Sequence, residues 1–121
     1  MEKIKLLVLE DNETFQKVFL ELSQQSDFEV MGFCKNSEDL LEQIKVKNPQ
    51  VILIDLVIPE ENTLTLIEKL KSLYPQLPLI ACSSLTEETV VSKALKAGCF
   101  DYIFKPFKEE DFMESIKSAV A

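Results

Sequence analysis

Histidine is absent from the 121-residue sequence, and its three cysteines, Cys34, Cys82 and Cys99, form no Cys-x-x-Cys pair. Zinc sites in proteins are built mainly from histidine and cysteine. A zinc site therefore has almost no ligands here, and any bound metal ion would need oxygen ligands. An odd number of widely separated cysteines among apolar neighbours is typical of buried free thiols in a reducing compartment, so we expect no disulfide.

Glycine occurs only twice, and the segment after the first apolar run contains none. This argues against the glycine-rich phosphate loop of a flavin or dinucleotide carrier. Long apolar runs are missing too. The run at Ile4–Leu9 has six residues and is followed by Glu10, Asp11 and Asn12, so it is too short and too polar-flanked for a signal peptide or a membrane span. We therefore expect a cytoplasmic protein that does not bind membranes.

Basic residues are in the minority, 13 against 21 acidic ones, which gives a net charge of −8. Such a charge repels the phosphates of nucleic acids and anionic lipids, so we expect no direct binding of nucleic acid. The hydrophobic fraction of 46% and the charged fraction of 28% are ordinary for a globular protein. The length suits one domain with one core, and we expect residues 1–121 to form it.

Short apolar runs alternate with amphipathic patterns along the chain. Strands are predicted at residues 4–9, 28–33, 51–54, 79–82 and 102–104. Several of these runs are apolar without alternation, as in parallel sheets that are covered on both faces. Apolar residues at helical spacing predict helices around residues 15–22, 40–44, 66–73, 90–95 and 112–120. The predicted fold class is α/β, a doubly wound five-stranded parallel sheet with five helices on both faces.

Residues suited to helix ends support this assignment. Asn36 or Ser37 can cap the start of the second helix, and Thr86, followed by two glutamates, suits the start of the fourth. Gly98 suits the C-terminal cap of the fourth helix.

Polar side chains follow four of the five predicted strands, namely Glu10 and Asp11, Asp55, Ser83, and Lys105. Ligands of open parallel sheets bind beyond the carboxyl ends of the strands, where the strand order reverses. Taken singly, each residue has an ordinary explanation: a helix cap for the acidic pair, a turn for Asp55, a polar strand end for Ser83 and a solvated charge for Lys105.

The combination is more informative than any single residue. If the first and third strands are neighbours, the carboxylates of Glu10, Asp11 and Asp55 converge, and each pair repels by about 4 kcal/mol at an effective dielectric constant of about 20. A hard divalent cation such as Mg²⁺ would relieve this repulsion. With Lys105 as a fixed cation and Ser83 as a hydroxyl donor, the set contains what phosphoryl transfer to an aspartate requires.

Four segments carry a resemblance to a known family: LLVLEDN, VILIDLVIP, LPLIACSS and KAGCFDYIFKPF. With these segments the chain resembles, from Lys3 to its last helix, the chemotaxis-regulator-like receiver domains of response regulators in two-component signalling. The resemblance implies the flavodoxin-like strand order 2-1-3-4-5.

The resemblance also implies roles for individual residues. Asp55 would accept a phosphoryl group from a phosphohistidine of a sensor histidine kinase or a histidine phosphotransfer protein. Ser83 and Lys105 would act with it on the transferred group. The metal would be Mg²⁺, and the ligands implied for it are Glu10, Asp11, Asp55 and the backbone carbonyl of Val57.

Phosphorylation would change the partner-binding surface formed by the fourth helix, the fifth strand and the fifth helix. Tyr102 would rotate inward into the space that Ser83 vacates; the competing interpretation is a half-buried strand aromatic with its hydroxyl group in water. The resemblance implies that this surface meets a downstream target protein or a fused output domain, or forms a homodimer. The chain would catalyse only its own phosphorylation and slow autodephosphorylation and would not otherwise be an enzyme.

Two features depart from the family pattern. Thr63 stands where many members have glycine, so the loop after Pro59 could adopt another conformation. Val57 and Leu85 are apolar and cannot position a water molecule, which predicts slow autodephosphorylation.

Two alternatives remain open. An aspartate-nucleophile phosphatase usually needs a second acid two residues after the nucleophile, where this chain has Val57, and 121 residues leave no room for a cap domain. The other alternative is a protein-binding module that resembles a receiver but acts independently of phosphorylation.

Overall fold

A computed structural model describes residues 2–121. Strands and helices alternate along this part of the chain. The strands are β1 (Ile4–Leu9), β2 (Phe28–Cys34), β3 (Val51–Ile54), β4 (Leu79–Ser83) and β5 (Asp101–Phe104). The helices are α1 (Glu13–Gln25), α2 (Ser37–Lys47), α3 (Thr63–Leu73), α4 (Glu88–Ala97) and α5 (Glu109–Val120). The predicted strands are confirmed, with β2 and β4 one residue longer at the end and β5 one residue longer at the start.

The strands form one parallel sheet in the order β2-β1-β3-β4-β5, as predicted. Because β1 and β3 are adjacent, the chain reverses its winding direction between them, and their carboxyl ends lie side by side. The register pairs Leu9 at the end of β1 with Ile54 at the end of β3. The residues that follow these two strands therefore start from neighbouring positions at one edge of the sheet.

Alternate residues of the strands point into two separate hydrophobic layers, and this confirms the doubly wound arrangement. One layer combines Leu7, Leu9, Ile52 and Ile54 with apolar residues of α2, α3 and α4. The other layer combines the strand residues between these positions, which point to the opposite face, with apolar residues of α1 and α5. Phe19, Phe28 and Phe112 are fully buried in this second layer. Burial on both faces explains why the strands are apolar without alternation.

Three asparagines begin helices, because the side chains of Asn12, Asn36 and Asn62 each accept a backbone N–H from the residue three positions on. Asn36, not Ser37, is therefore the cap of α2. The expectation that Thr86 begins α4 was wrong by one residue, since Glu87 is the N-cap residue and makes no side-chain capping bond. Gly98 ends α4 with a φ of 130°, as predicted.

All three cysteines are buried and free, as expected. Burial raises the pKa of each thiol to about 12. Among the helices of residues 2–121, none has the length and apolar character needed to cross a membrane.

Candidate functional site

The polar residues singled out in the sequence meet at the carboxyl edge of the sheet. Glu10 and Asp11 follow β1, Asp55 follows β3, Ser83 ends β4 and Lys105 follows β5. Backbone hydrogen bonds extend the strand pairing to this edge: the Asp55 N–H donates to Leu9, and the Lys105 N–H donates to the carbonyl of Ser83. The site is thus a continuation of the sheet itself.

The three carboxylates form one cluster. Glu10, Asp11 and Asp55 each offer an oxygen, and these oxygens all lie within 4.8 Å of one another. Glu10 is 1% exposed, Asp11 is exposed, and the side chain of Asp55 is 12% exposed. The acidic pair is not the helix cap, because Asn12 has that role. The cluster is therefore buried on the side of Glu10 and open to solvent on the side of Asp11.

Lys105 is the cation of this cluster. Its ammonium group donates hydrogen bonds to Glu10 Oε1 and to Asp55 Oδ2, the latter at 3.3 Å, and its side chain is only 5% exposed. Such a position excludes the ordinary explanation of a solvated surface charge. One positive charge faces three carboxylates, so the cluster retains a net negative charge.

The pKa directions agree with this charge count. Burial raises the pKa of the Glu10 carboxyl, and the opposing hydrogen bond and charge of Lys105 do not cancel the rise. Burial acts to lower the pKa of Lys105, but the hydrogen bond that Lys105 donates to Glu10 and the charge of Asp55 outweigh this effect and leave the pKa raised. Lys105 therefore remains a cation, and its hydrogen bond and charge offset only part of the effect of burial on Glu10.

Residues at the start of α1 support Glu10 and Lys105, and no pattern in the sequence predicted these contacts. The Asn12 N–H donates to Glu10 Oε2 at 3.2 Å, and the Gln16 side chain donates to the Glu10 carbonyl at 2.8 Å. The ring of Phe15 covers Lys105, with 4.0 Å between Nζ and the ring centroid. In the sequence, Phe15 is one of the apolar residues whose spacing predicts the first helix, and the only signal for its position at the site is its closeness to the acidic pair.

Ser83 and Tyr102 meet at the loop after β4. Ser83 is fully buried, and its hydroxyl oxygen accepts the N–H of Leu85 at 3.2 Å. The Tyr102 hydroxyl donates to the carbonyl of Leu85 at 2.6 Å. Burial raises the pKa of Tyr102, although a hydrogen bond with Ser83 acts against this rise. Tyr102 is half-buried, as in the competing interpretation, but its hydroxyl group is bonded to the loop rather than left in water.

The loop between β3 and α3 is fixed at both ends. Asp55 Oδ1 accepts the N–H of Val57 at 3.0 Å, and Val57 is 54% exposed. Thr63, the first residue of α3, is buried and donates its hydroxyl group to the carbonyl of Leu56 at 2.8 Å. The left-handed residue of this loop is Glu60, with a φ of 65°. Thr63 thus contributes a hydrogen bond that glycine could not make.

Comparisons with known proteins agree on one family. The family profile described as the response regulator receiver domain matches residues 6–117. The chain is 26% identical over 112 residues to the chemotaxis protein CheY of Thermotoga maritima, and the match covers 93% of each chain. It is 34% identical over 111 residues to a protein-glutamate methylesterase/protein-glutamine glutaminase of Clostridium acetobutylicum, covering 89% of this chain. The match covers only 32% of that protein's length.

Solved structures show the same relationship. The response regulator domain of Thermotoga maritima CheB superposes with a TM-score of 0.85 at 27% identity, over 98% of this chain and 97% of that one. A CheY-like receiver domain protein from Methanospirillum hungatei has the same fold, with a TM-score of 0.85 at 22% identity, over 98% of this chain and 94% of that one.

Receiver domains are phospho-accepting domains of two-component response regulators; they interact with kinases and output domains, and phosphorylation and Mg²⁺ are typical of them. The profile match spans most of the chain, and the relatives include both CheY and CheB. The chain therefore belongs to the response regulator receiver domain family and is of the chemotaxis-regulator-like kind.

Proposed function

We propose that this chain is a phosphorylation-controlled switch in which Asp55 accepts a phosphoryl group from a phosphohistidine of a sensor histidine kinase or a histidine phosphotransfer protein. The observation that carries the proposal is the position of Asp55. Its carboxylate belongs to an acidic cluster, and one of its oxygens lies 3.3 Å from the buried ammonium of Lys105. A nucleophile next to a fixed cation is the arrangement that transfer of an anionic group requires.

The proposed reaction is an in-line displacement at phosphorus. A carboxylate oxygen of Asp55 forms the new bond to phosphorus while the bond between phosphorus and the imidazole nitrogen of the donor breaks, and the electron pair leaves with the imidazole. The product is an acyl phosphate. Lys105 supplies positive charge to the oxygens of the transferred group, and Ser83 supplies a hydroxyl donor.

Mg²⁺ fits the residues of this site. All ligand candidates are oxygens, which suit a hard cation. Burial raises the pKa of Glu10, and the hydrogen bond and charge of Lys105 do not cancel this rise, so a further cation would stabilise the carboxylate. We assign the side chains of Glu10, Asp11 and Asp55, with the backbone carbonyl of Val57, as the residues that would hold the ion. When bound, the ion would neutralise charge on the phosphoryl oxygens.

The proposed output surface consists of α4, β5 and α5. Phosphorylation of Asp55 would draw Ser83 toward the new oxygens, and Tyr102 would move into the space that Ser83 leaves. In support, both residues are bonded to Leu85, one to its N–H and the other to its carbonyl. The effect would be a population shift between two surfaces, which a downstream target protein, a fused output domain or a second copy of the chain completes by binding.

We propose slow hydrolysis of the acyl phosphate, and no other enzymatic activity. Val57 and Leu85 are apolar side chains that cannot orient a water molecule by hydrogen bonding. Purified phosphorylated protein with Mg²⁺ should therefore keep its phosphoryl group well beyond a few seconds. A lifetime of only seconds would contradict the proposal.

We also propose that residues 1–121 act as one domain in the cytoplasm and bind protein partners, without direct binding of nucleic acid or membranes. The chain spans nearly the whole of the CheY relative but about a third of the methylesterase. The proposal therefore includes both a separate receiver and the receiver part of a longer regulator.

The decisive experiment is incubation of the purified protein with Mg²⁺ and a small acyl-phosphate donor, followed by intact-mass measurement. Asp55→Asn and a magnesium-free sample test the two requirements, and Glu88→Gln, at an exposed acid of α4, is the matched control variant. We expect one acid-labile phosphoryl group that depends on both Asp55 and the metal.

Failure of the folded protein to gain a phosphoryl group under any of these conditions would contradict the proposal. It would favour the phosphorylation-independent binding module instead.

A further inference from the structure

The aromatic ring of Phe15 lies directly against the ammonium group of Lys105, and the proposed reaction does not account for this contact. The distance from Nζ to the ring centroid is 4.0 Å, which is within the range of a cation–π interaction. Phe15 is half-buried in the first turn of α1, whereas Lys105 follows β5. The contact therefore joins two elements that are far apart in the sequence.

The ring is a third neighbour of the ammonium group, in addition to the two carboxylates. An ammonium group has three N–H donors, and two of these are directed to Glu10 and Asp55. The negative face of an aromatic ring can attract the cation where no further oxygen is supplied. Because the side chain of Lys105 is only 5% exposed, the contact is largely removed from water, and such contacts are stronger than those in solvent.

The backbone of Phe15 is itself held in place. Its N–H donates to the side chain of Asn12 at 3.1 Å, which is the capping bond of α1. Asn12 also donates its own N–H to Glu10 Oε2. One short segment thus fixes both the carboxylate that binds Lys105 and the ring that covers it.

We infer that Phe15 is a positioning residue that holds the ammonium group of Lys105 beside Asp55, so that this charge is in place before the phosphoryl group arrives. A lysine side chain has a flexible four-carbon stem and loses much rotamer freedom when it is ordered. The ring contributes to this ordering in advance of the reaction. The inference rests on the proposed function, because it assigns Phe15 a part in the same phosphoryl transfer.

The test compares Phe15→Leu, which keeps an apolar side chain but has no aromatic face, with Phe15→Trp, which has a stronger one. Phe100→Leu is the matched control, because Phe100 is an exposed phenylalanine outside the site. Stepwise fluorination of the ring at position 15 is a further series, since it weakens the negative face of the ring with little change in shape.

Two readouts are measured. The first is the rate at which an amine-acetylating reagent modifies Lys105, measured by peptide mass spectrometry without Mg²⁺ or phosphoryl donor. The second is the initial rate of Asp55 phosphorylation by acetyl phosphate with Mg²⁺. The first readout reports on the position of Lys105 independently of the proposed reaction.

In the Phe15→Leu variant, Lys105 should be acetylated faster and Asp55 should be phosphorylated more slowly than in wild type. Each rate should change by a factor between about 2 and 30, which corresponds to the usual range of cation–π energies. Phe15→Trp should restore both rates, each added fluorine should change them progressively, and Phe100→Leu should leave them unchanged. A merely structural role of Phe15 would not produce the progressive effect of fluorine.

The outcomes separate this inference from the proposed function. If wild-type protein is phosphorylated and Phe15→Leu matches it in both rates, the inference alone is overturned. Rates that do not respond to fluorination would also overturn it. If wild-type protein is not phosphorylated at all, the proposed function fails, and the role of Phe15 in it fails as well.

Discussion

Lys105→Met is the substitution that most directly tests the electrostatics of the site. Methionine retains much of the length and apolar volume of the lysine stem but removes the ammonium group. Glu10 and Asp55 then face each other without the cation that both contact. The expected result in the absence of divalent ions is a clear loss of stability.

The distance in the structure sets the size of this loss. At an effective dielectric constant of about 20, two unit charges separated by the 3.3 Å between Lys105 Nζ and Asp55 Oδ2 attract by about 5 kcal/mol. Removal of one partner from a buried ion pair usually costs about 3–5 kcal/mol. Because Asp11 is exposed and the cluster is open on that side, we expect the lower end, about 3 kcal/mol.

The loss should depend on pH in a defined direction. Burial already raises the pKa of Glu10, and without Lys105 the lowering influence of that residue disappears, so the pKa rises further. A carboxyl group whose folded-state pKa exceeds its unfolded value favours the folded state at low pH, and this stability is lost as the pH rises through the folded pKa. The variant should therefore fall further below wild type at pH 8 than at pH 5.

Urea unfolding followed by far-ultraviolet circular dichroism measures these free energies. Lys108→Met is the matched control, because Lys108 is exposed, and its effect should stay within about 0.5 kcal/mol. Titration with Mg²⁺ adds a second test: without the competing cation of Lys105, the variant should bind the ion more tightly than wild type. Equal stability of Lys105→Met and wild type at pH 8, or weaker Mg²⁺ binding by the variant, would refute the reasoning.

Three other features give further predictions. Thr63→Val should lower the free energy of unfolding by about 1–3 kcal/mol, because the buried carbonyl of Leu56 loses its donor, whereas Thr63→Ser keeps the donor; equal losses in urea titrations would contradict this. Gly98→Ala should lower the free energy of unfolding by more than about 1 kcal/mol in the same assay, because alanine is strained at this positive φ and its Cβ collides with Lys71 Cγ. Adding Lys71→Ala should recover part of this loss. The three buried cysteines have pKa values near 12 in the folded state against 9.0 for the free thiol, so the folded state binds more protons between these values. Stability should be unaffected at neutral pH and should fall above about pH 9 by about 1 kcal/mol per thiol per pH unit, and native thiols should resist a disulfide reagent at pH 8.

Much of the fold could be predicted from the sequence because its signals are local. The apolar run Val51–Ile54 is short and followed by a charged residue, so its identity as a buried strand does not depend on distant contacts. Helix boundaries were less secure. Thr86 is a residue type that often caps helices, yet the N-cap of α4 is the next residue, Glu87, because the path of the loop after β4 determines which residue adopts the capping geometry.

The candidate site was predictable in its members but not in its contacts. The residue types at the strand ends indicated an acidic cluster with a lysine and a serine. The sequence could not show that Lys105 binds Glu10 as well as Asp55, or that Tyr102 binds Leu85 rather than water. Such contacts depend on side-chain directions, which the packing of several elements decides together.

The sequence by itself determined the order of strands and helices, the apolar faces that pack on the sheet, and the polar residues at the strand ends, because each of these is a pattern among near neighbours in the chain. Only the tertiary structure decided that α1 places Phe15 over a lysine 90 residues away and that Thr63 closes the loop after Asp55. The physical reason is that these contacts arise between elements, and their geometry is set by how the helices settle against the sheet.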